Sequence, residues 1–401
     1  MTRIRMSLKN RGDWNMYYFD HSATTPPSRQ ALDVMVEVAQ TYYANPSSIH
    51  QLGERSKALL QQSREQVASL LGYKPSEVYF ASSGTEVNNW VFRAILPALR
   101  DRHSERRRLI VSAVEHPSIT SMLSLLVAED YEVQLAPVDS NGVIDLKVLE
   151  AMMDQDVLLV STMVVNNEIG SLQPIDELSK ILKQYPQTIW HVDAVQAVTT
   201  QFERMLNPRI DLVSLSSHKF HAPRGVGILA KRKRVPSQPM LYGGGQETGL
   251  RSSTENLPAI VATAKALRLA HHEQKAARAK LTQLREQIVR QLKSLDWHIF
   301  AGATGITASE HIICAALPGV PGEVLVHSLE TEGVIVSTTS ACSSRSHQAH
   351  HTLKSMNIAT DISESAIRIS LSQTTHETEV AALLEALAAV TTKFNQAKKG
   401  I

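Results

Sequence analysis

Cysteine is scarce in this chain: only Cys314 and Cys342 occur among 401 residues. Two thiols build neither a disulfide framework nor a multi-cysteine zinc site, so each needs its own explanation. A dominant charge is lacking as well. Forty-one basic and 39 acidic side chains leave a formal charge of +2, which gives no bulk field to draw the chain to nucleic acid or an anionic membrane. The basic clusters at 102–108 and 231–234 read as solvated loops. No apolar run is long enough to span a bilayer, and residues 1–15 carry charges without the apolar centre of a signal peptide. The expectation is a cytoplasmic protein whose first fifteen residues bear no functional weight. Internal repeats and low-complexity segments are missing too.

What the chain does have is 43% apolar content, enough to fill the core of two domains or of one large domain with an appendage. Strand-like and helical patterns alternate from residue 16 onward. Strands are expected at 77–80, 109–113, 131–137, 157–165, 189–194, 211–215 and 225–230, and helices at 56–71, 86–99 and 118–127. Runs apolar on both faces suit a mainly parallel sheet covered by helices. A long helical stretch, 259–295, leads out of this region. A smaller α+β unit follows, with strands at 311–317, 334–337 and 366–372 and helices at 322–332 and 377–394. The predicted division is a large domain over 16–260 and a small one over 261–401, with the N-terminal segment packing on the latter.

Lys219 follows an apolar strand and enters a glycine-containing turn, Ser-His-Lys-Phe-His-Ala-Pro-Arg-Gly-Val-Gly (217–227). An amine placed there suits covalent use, as in a Schiff base with an aldehyde cofactor, although a surface lysine fits the bare pattern too. Asp193 ends a second strand, where a carboxylate could partner a pyridinium nitrogen or simply cap a helix. Together they point to pyridoxal 5'-phosphate. Ser83-Gly84-Thr85-Glu86 lies where a strand turns into a helix, and backbone amides there could hold a phosphate or form an ordinary helix start. Ser216 and His218 flank Lys219 and could add phosphate contacts. His116 is placed either to lie over a flat ring or to cap a helix. Asn166-Asn167-Glu168 follows another strand, and the polar clusters thus gather at successive strand ends, where ligands collect in open α/β sheets.

Cys314 reads as a small buried hydrophobe, whereas Cys342 stands in a polar stretch (337–351) without apolar periodicity, as an accessible loop thiol. His347, His350 and His351 lack organised ligand spacing, so no metal site is expected.

These ordered motifs collectively resemble the pyridoxal-phosphate-dependent class I cysteine desulfurases, within the class-V aminotransferases. The likeness rests on Tyr18-Phe19-Asp20-His21-Ser22-Ala23-Thr24-Thr25-Pro26, Asn45-Pro46-Ser47-Ser48-Ile49-His50, Glu115-His116-Pro117-Ser118, Asn166-Asn167-Glu168-Ile169-Gly170, Val192-Asp193-Ala194-Val195-Gln196, Ser217-His218-Lys219, Gly243-Gly244-Gly245-Gln246-Glu247 and Ser340-Ala341-Cys342-Ser343-Ser344. The resemblance implies a fold-type I homodimer in which Lys219 carries the cofactor, Asp193 holds its ring nitrogen, Gln196 its phenolic oxygen, and His116 stacks on the ring. Gly84, Thr85, Ser216 and His218 would hold the phosphate, and Thr254 would complete the phosphate site of the partner subunit. Arg368, assisted by Asn45 and Asn167, would take the substrate carboxylate. Lys219 and His116 would move protons. The Cys342 thiolate would take sulfur from L-cysteine, release alanine and deliver the sulfur to an iron–sulfur scaffold or a tRNA-thiolation enzyme. The chain departs from the family at Thr339-Ser340-Ala341-Cys342, Ala222-Pro223-Arg224-Gly225, Gln246-Glu247-Thr248-Gly249, Ala349-His350 and Ser372-Gln373, changes that bear on loop behaviour and on the acceptor. Selenocysteine lyase, cysteine sulfinate desulfinase and a cofactor-bound docking protein are the competing readings.

Overall fold

The computed structural model describes residues 16–301, 307–339 and 351–398. Its larger sheet has seven strands: β2 (Val78–Ala81), β3 (Arg108–Ser112), β4 (Glu132–Ala136), β5 (Val157–Met163), β6 (Ile189–Asp193), β7 (Leu212–Ser216) and β8 (Gly227–Lys231). They lie in the order β2-β8-β7-β6-β5-β3-β4. The β4-β3-β5-β6-β7 run is parallel, and β8 pairs antiparallel with both β7 and β2. Every residue of β5, β6 and β7 is buried, as a sheet covered on both faces requires. One covering layer contains Leu60, Val67 and Leu267, and the other contains Trp90, Phe92 and Leu126. The architecture is the expected mixed α/β one with a mainly parallel central sheet.

A 38-residue helix, Leu257–Ser294, starts with Asn256 as its cap and Pro258 in its first turn, both favourable at a helix start. At 1.5 Å per residue it runs about 57 Å. Its first half packs Leu257, Ile260 and Leu267 on the large sheet's core, and its second half packs Leu281, Leu284, Ile288 and Leu292 into a separate cluster. That cluster backs a four-stranded antiparallel sheet of β9 (His298–Ile299), β10 (Ile312–Ala316), β12 (Ser337–Thr338) and β13 (Ala366–Ser370), ordered β12-β13-β10-β9.

The chain's first described segment belongs with this second sheet. β1 (Tyr17–Tyr18) pairs in parallel with β11 (Val334–Ile335), and Phe19 is buried among Ile313, Ile369 and Leu383. The segment then crosses to the large sheet, where the Thr25 amide and hydroxyl both donate to the His218 carbonyl at 2.9 Å. It therefore touches both halves of the site. The strand expected at 334–337 is two short strands, because β11 pairs with β1 while β12 pairs with β13. The helix expected at 86–99 runs as Gly84–Trp90, a π-helical turn Val91–Ile95, and Leu96–Arg102. Pro97 has no N–H for the carbonyl four residues back, so the regular ladder cannot continue there. The 118–127 helix divides into Pro117–Thr120 and Leu123–Ala128.

Candidate active site

Five strand ends of the large sheet, those of β2, β3, β5, β6 and β7, meet the N-terminal segment and β13 around a cavity of about 290 Å³, lined among others by Ser22, Gly84, Asn88, His116, Asp193 and Lys219. Lys219 ends a one-turn 3-10 helix, Ser217–Lys219, directly after β7. The turn is closed by Ser217, whose amide donates to the Val226 carbonyl at 3.0 Å and whose hydroxyl donates to the Pro223 carbonyl at 2.6 Å. From it the Lys219 amine reaches the carbonyls of Ser22 at 2.5 Å and Ala23 at 3.0 Å. Gln196 also donates to the Ser22 carbonyl, at 3.0 Å.

Asp193, at the end of β6, is buried. Its Oδ1 accepts the Val195 amide at 2.9 Å and its Oδ2 accepts Asn88 Nδ2 at 2.8 Å. The capping role and the ligand role are therefore compatible in one side chain. Asn88 Nδ2 donates also to the Ser118 hydroxyl at 2.8 Å, and that hydroxyl lies 2.8 Å from His116 Nδ1. The Ser118 amide donates to the same nitrogen at 3.1 Å, so His116 caps the short helix Pro117–Thr120 while lining the cavity. An Nδ1 that accepts a backbone N–H leaves the ring proton on Nε2. Burial holds the His116 pKa below the ordinary imidazole value; the Asp193 carboxylate opposes that shift and the Lys219 cation adds to it. The imidazole is thus neutral at neutral pH. Burial, with Lys219 and Arg224, pulls His218 down to about 4, so it too is neutral.

Behind Asp193 sits Glu115, buried, with its pKa pushed well above the ordinary value by burial and by the Asp193 charge.

At the opposite wall the Gly84 amide donates to Ser216 Oγ at 3.3 Å. A Cβ on Gly84 would stand 3.0 Å from the Ser216 Cβ and 3.2 Å from Val195 Cγ2, so the turn hugs the strand end because residue 84 is glycine. Thr85 and His218 complete this wall. Arg368 enters from β13, its Nη1 donating to the Asn167 carbonyl at 2.9 Å and its Nη2 to Asp20 Oδ1 at 2.8 Å.

Of the residues expected from the sequence, Gly84, Thr85, His116, Asn167, Asp193, Gln196, Ser216, His218, Lys219 and Arg368 line this one cavity. Asn45 does not; it is exposed, and its Oδ1 accepts the Ser47 amide at 2.9 Å. Thr254 is exposed too and lines a second cavity, with Ser82, Arg251 and Asn256. Cys342 lies outside the described residues, and Cys314 is buried as expected. The expectations carry no role for Asn88, Ser118, Ser22 or Asp20, all of which the structure ties into the network.

The cavity fits pyridoxal phosphate. It holds an amine, a buried carboxylate set to accept a ring N–H, a neutral imidazole, and a glycine turn with backbone N–H groups and hydroxyls at a helix start. Two of its lining residues carry buried polar atoms without partners, Asn88 Oδ1 and Ser22 Oγ, which mark a surface made to meet a polar group.

Residues 17–383 match the family model of the class-V aminotransferases. The chain is 43% identical over 360 residues to a "NifS/IcsS protein homolog" of Lactobacillus delbrueckii subsp. bulgaricus, covering 89% of this chain and 92% of the relative. It is 34% identical over 377 residues to "Cysteine desulfurase IscS" of Dictyoglomus turgidum, covering 94% and 95%. Among solved structures, a "NifS-like protein" superposes with a TM-score of 0.86 at 35% identity, over 94% of this chain and 99% of that one. These matches run over nearly the whole chain, and the protein belongs to the pyridoxal-phosphate-dependent class-V aminotransferase family, among its cysteine desulfurases.

Proposed function

We propose that this protein converts L-cysteine to L-alanine and places the sulfur on Cys342 as a persulfide, for delivery to an acceptor protein. The observation that carries this reading is the convergence of Lys219, Asp193, His116 and Arg368 on one cavity. An amine, a ring-nitrogen partner, a neutral imidazole and a carboxylate-binding guanidinium are what amino-acid chemistry on pyridoxal phosphate needs.

When bound, pyridoxal phosphate supplies an aldehyde that captures an amine and a ring that accepts the electron pair released at the substrate α-carbon. Asp193 would keep the ring nitrogen protonated, Gln196 would meet the phenolic oxygen, and Gly84, Thr85, Ser216 and His218 would hold the phosphate. Arg368 takes the substrate carboxylate, a bidentate task suited to a guanidinium, with Asn167 beside it and Asn45 assisting. Lys219, when its amine is free, docks on the Ser22 and Ala23 carbonyls and carries the proton, with His116 Nε2 as second carrier. The Cys342 thiolate attacks the substrate sulfur. The S–S bond forms as the C–S bond breaks, the departing electron pair stays with the carbon skeleton, and protonation gives alanine.

In this reading residues 16–260 and 261–401 act as two domains, and a homodimer brings Thr254 to the partner's phosphate site; its exposure in a single chain is consistent with that. A reducing cytoplasm suits a persulfide carrier, and the acceptor is an iron–sulfur scaffold or a tRNA-thiolation enzyme.

The test is a visible spectrum of the purified protein before and after L-cysteine, with alanine quantified in the same tube. The parent should show the bound cofactor and form alanine. Lys219→Ala should lose turnover, and Cys342→Ser should keep the cofactor's absorbance while losing sulfur release. Full sulfur release from Cys342→Ser would overturn the assigned nucleophile and favour a lyase that works without a thiol.

A further inference from the structure

Arg368 is almost completely enclosed, at 3% exposure. It stands on β13, an interior strand, directly opposite Cys314 on β10 and Ser337 on β12. A buried guanidinium is costly unless a counter-charge is hydrogen-bonded to it. Among the described residues the carboxylate that meets it is Asp20, at 2.8 Å. Asp20 itself has little freedom. On either side of it the Phe19 carbonyl accepts the Ser370 amide at 2.7 Å, and the Ser22 amide donates to Ser370 Oγ at 2.9 Å. The Asp20 carbonyl accepts the Tyr18 hydroxyl at 3.0 Å.

The planar guanidinium is therefore held at two corners, by Asp20 Oδ1 on Nη2 and by the Asn167 carbonyl on Nη1. Two fixed corners set the plane and the direction of the remaining N–H groups, and that direction decides whether an incoming carboxylate is met in a fork geometry. Asp20 also opposes the incoming carboxylate through its own negative charge. The two effects act with opposite sign, and the rigidity of the segment favours orientation as the larger.

We infer that Asp20 is a positioning residue that aims Arg368 and so makes the site selective for amines bearing an α-carboxylate. The inference rests on the proposed role of Arg368 toward the substrate carboxylate. It assigns a function to the N-terminal segment, which brings together the Asp20 hold on Arg368 and the Ser22 and Ala23 dock for Lys219.

The test compares L-cysteine with cysteamine, which lacks the carboxylate, on holoenzyme carrying Asp20→Ala, Asp20→Asn or Arg368→Lys. KM and kcat are measured for L-cysteine, and half-saturation of the cofactor's spectral change is measured for cysteamine. Asp20→Ala should raise the KM for L-cysteine at least tenfold, leave kcat within about threefold, and leave cysteamine half-saturation within about twofold. Asp20→Asn, which keeps an acceptor oxygen in nearly the same shape, should show a smaller rise and guards against a folding defect in the alanine variant. An unchanged or lowered KM in both Asp20 variants overturns the inference, since charge repulsion then outweighs orientation. Equal weakening toward cysteamine also overturns it, because the role is then merely structural. Arg368→Lys separates the two readings. If it abolishes the preference for L-cysteine while Asp20→Ala does not, the inference about Asp20 fails alone; if it leaves the preference intact, the carboxylate role of Arg368 fails and the inference falls with it.

Discussion

Asn88 shows how much one neutral side chain can organise. Its amide nitrogen bridges Asp193 Oδ2 and the Ser118 hydroxyl, each at 2.8 Å, and Ser118 in turn meets His116. A hydrogen bond to a charged group contributes about 1.5–3 kcal/mol. Asn88→Ala should accordingly weaken retention of pyridoxal phosphate by roughly tenfold to a hundredfold, read by equilibrium dialysis against the free cofactor, and lower kcat as the Ser118 hydroxyl that meets His116 loses its own donor. The residues that could be read without a structure are those whose chemistry is carried by the side chain and whose place is a strand end: Lys219 after β7, Asp193 at the end of β6, His116 after β3. Asn88 could not be read this way, because an asparagine inside a helix beside a second asparagine looks like a polar surface position. The Ser22 and Ala23 carbonyls leave no trace at all, since every residue offers the same main-chain acceptor whatever its side chain.

Between elements, the tightest approach at the site is that of β8 to the turn before the helix Gly84–Trp90. A Cβ on Gly227 would stand 2.3 Å from the Ser83 carbonyl oxygen, a backbone atom with no flexible end to swing away. Gly227→Ala should push the Ser83-Gly84 turn out of its place against Ser216. Spectral titration should show cofactor retention reduced about tenfold or more with the helix content unchanged, because strand and helix themselves need not unfold. The strands are readable where they are apolar on both faces, as over 157–160 of the wholly buried β5. Among the helices absent from the sequence-based expectations, three of seven or more residues are instructive. Arg29–Thr41 buries only Ala31 and Val38, and Leu146–Met152 buries only Leu149, so neither carries a continuous apolar stripe of buried positions. Ile175–Lys183 is different: Ile175, Leu178, Ile181 and Leu182 are buried at helical spacing just after Pro174, a pattern that was there to be read. The order of strands in the large sheet, and the pairing of β1 with β11, depend on contacts far apart in sequence and have no local signature.

On the scale of the whole molecule, Glu168 lies where the turn after β5 meets the second sheet. Its Oε2 is buried without a partner, and its carboxyl is pushed up from 4.5 to about 7 by burial, against a Thr352 hydrogen bond and the Arg368 charge. The native protein therefore keeps this proton up to about pH 7, whereas an unfolded chain releases it near pH 4.5. Between those values the native state binds more protons than the unfolded one, so native stability falls as pH rises through that window and then levels off. Taken alone, the shift corresponds to about 3 kcal/mol at most. Glu168→Gln removes the ionisation, so its stability relative to the parent should improve from pH 5 to about pH 7 and level off toward pH 8, whatever its effect at pH 5. The measurement is the thermal midpoint of both holoenzymes at each pH with saturating pyridoxal phosphate, so that ligand linkage stays constant. Parallel curves, with no divergence between pH 5 and pH 8, would show that Glu168 is already ionised in the folded protein and that Arg368 is balanced by two carboxylates rather than by Asp20 alone.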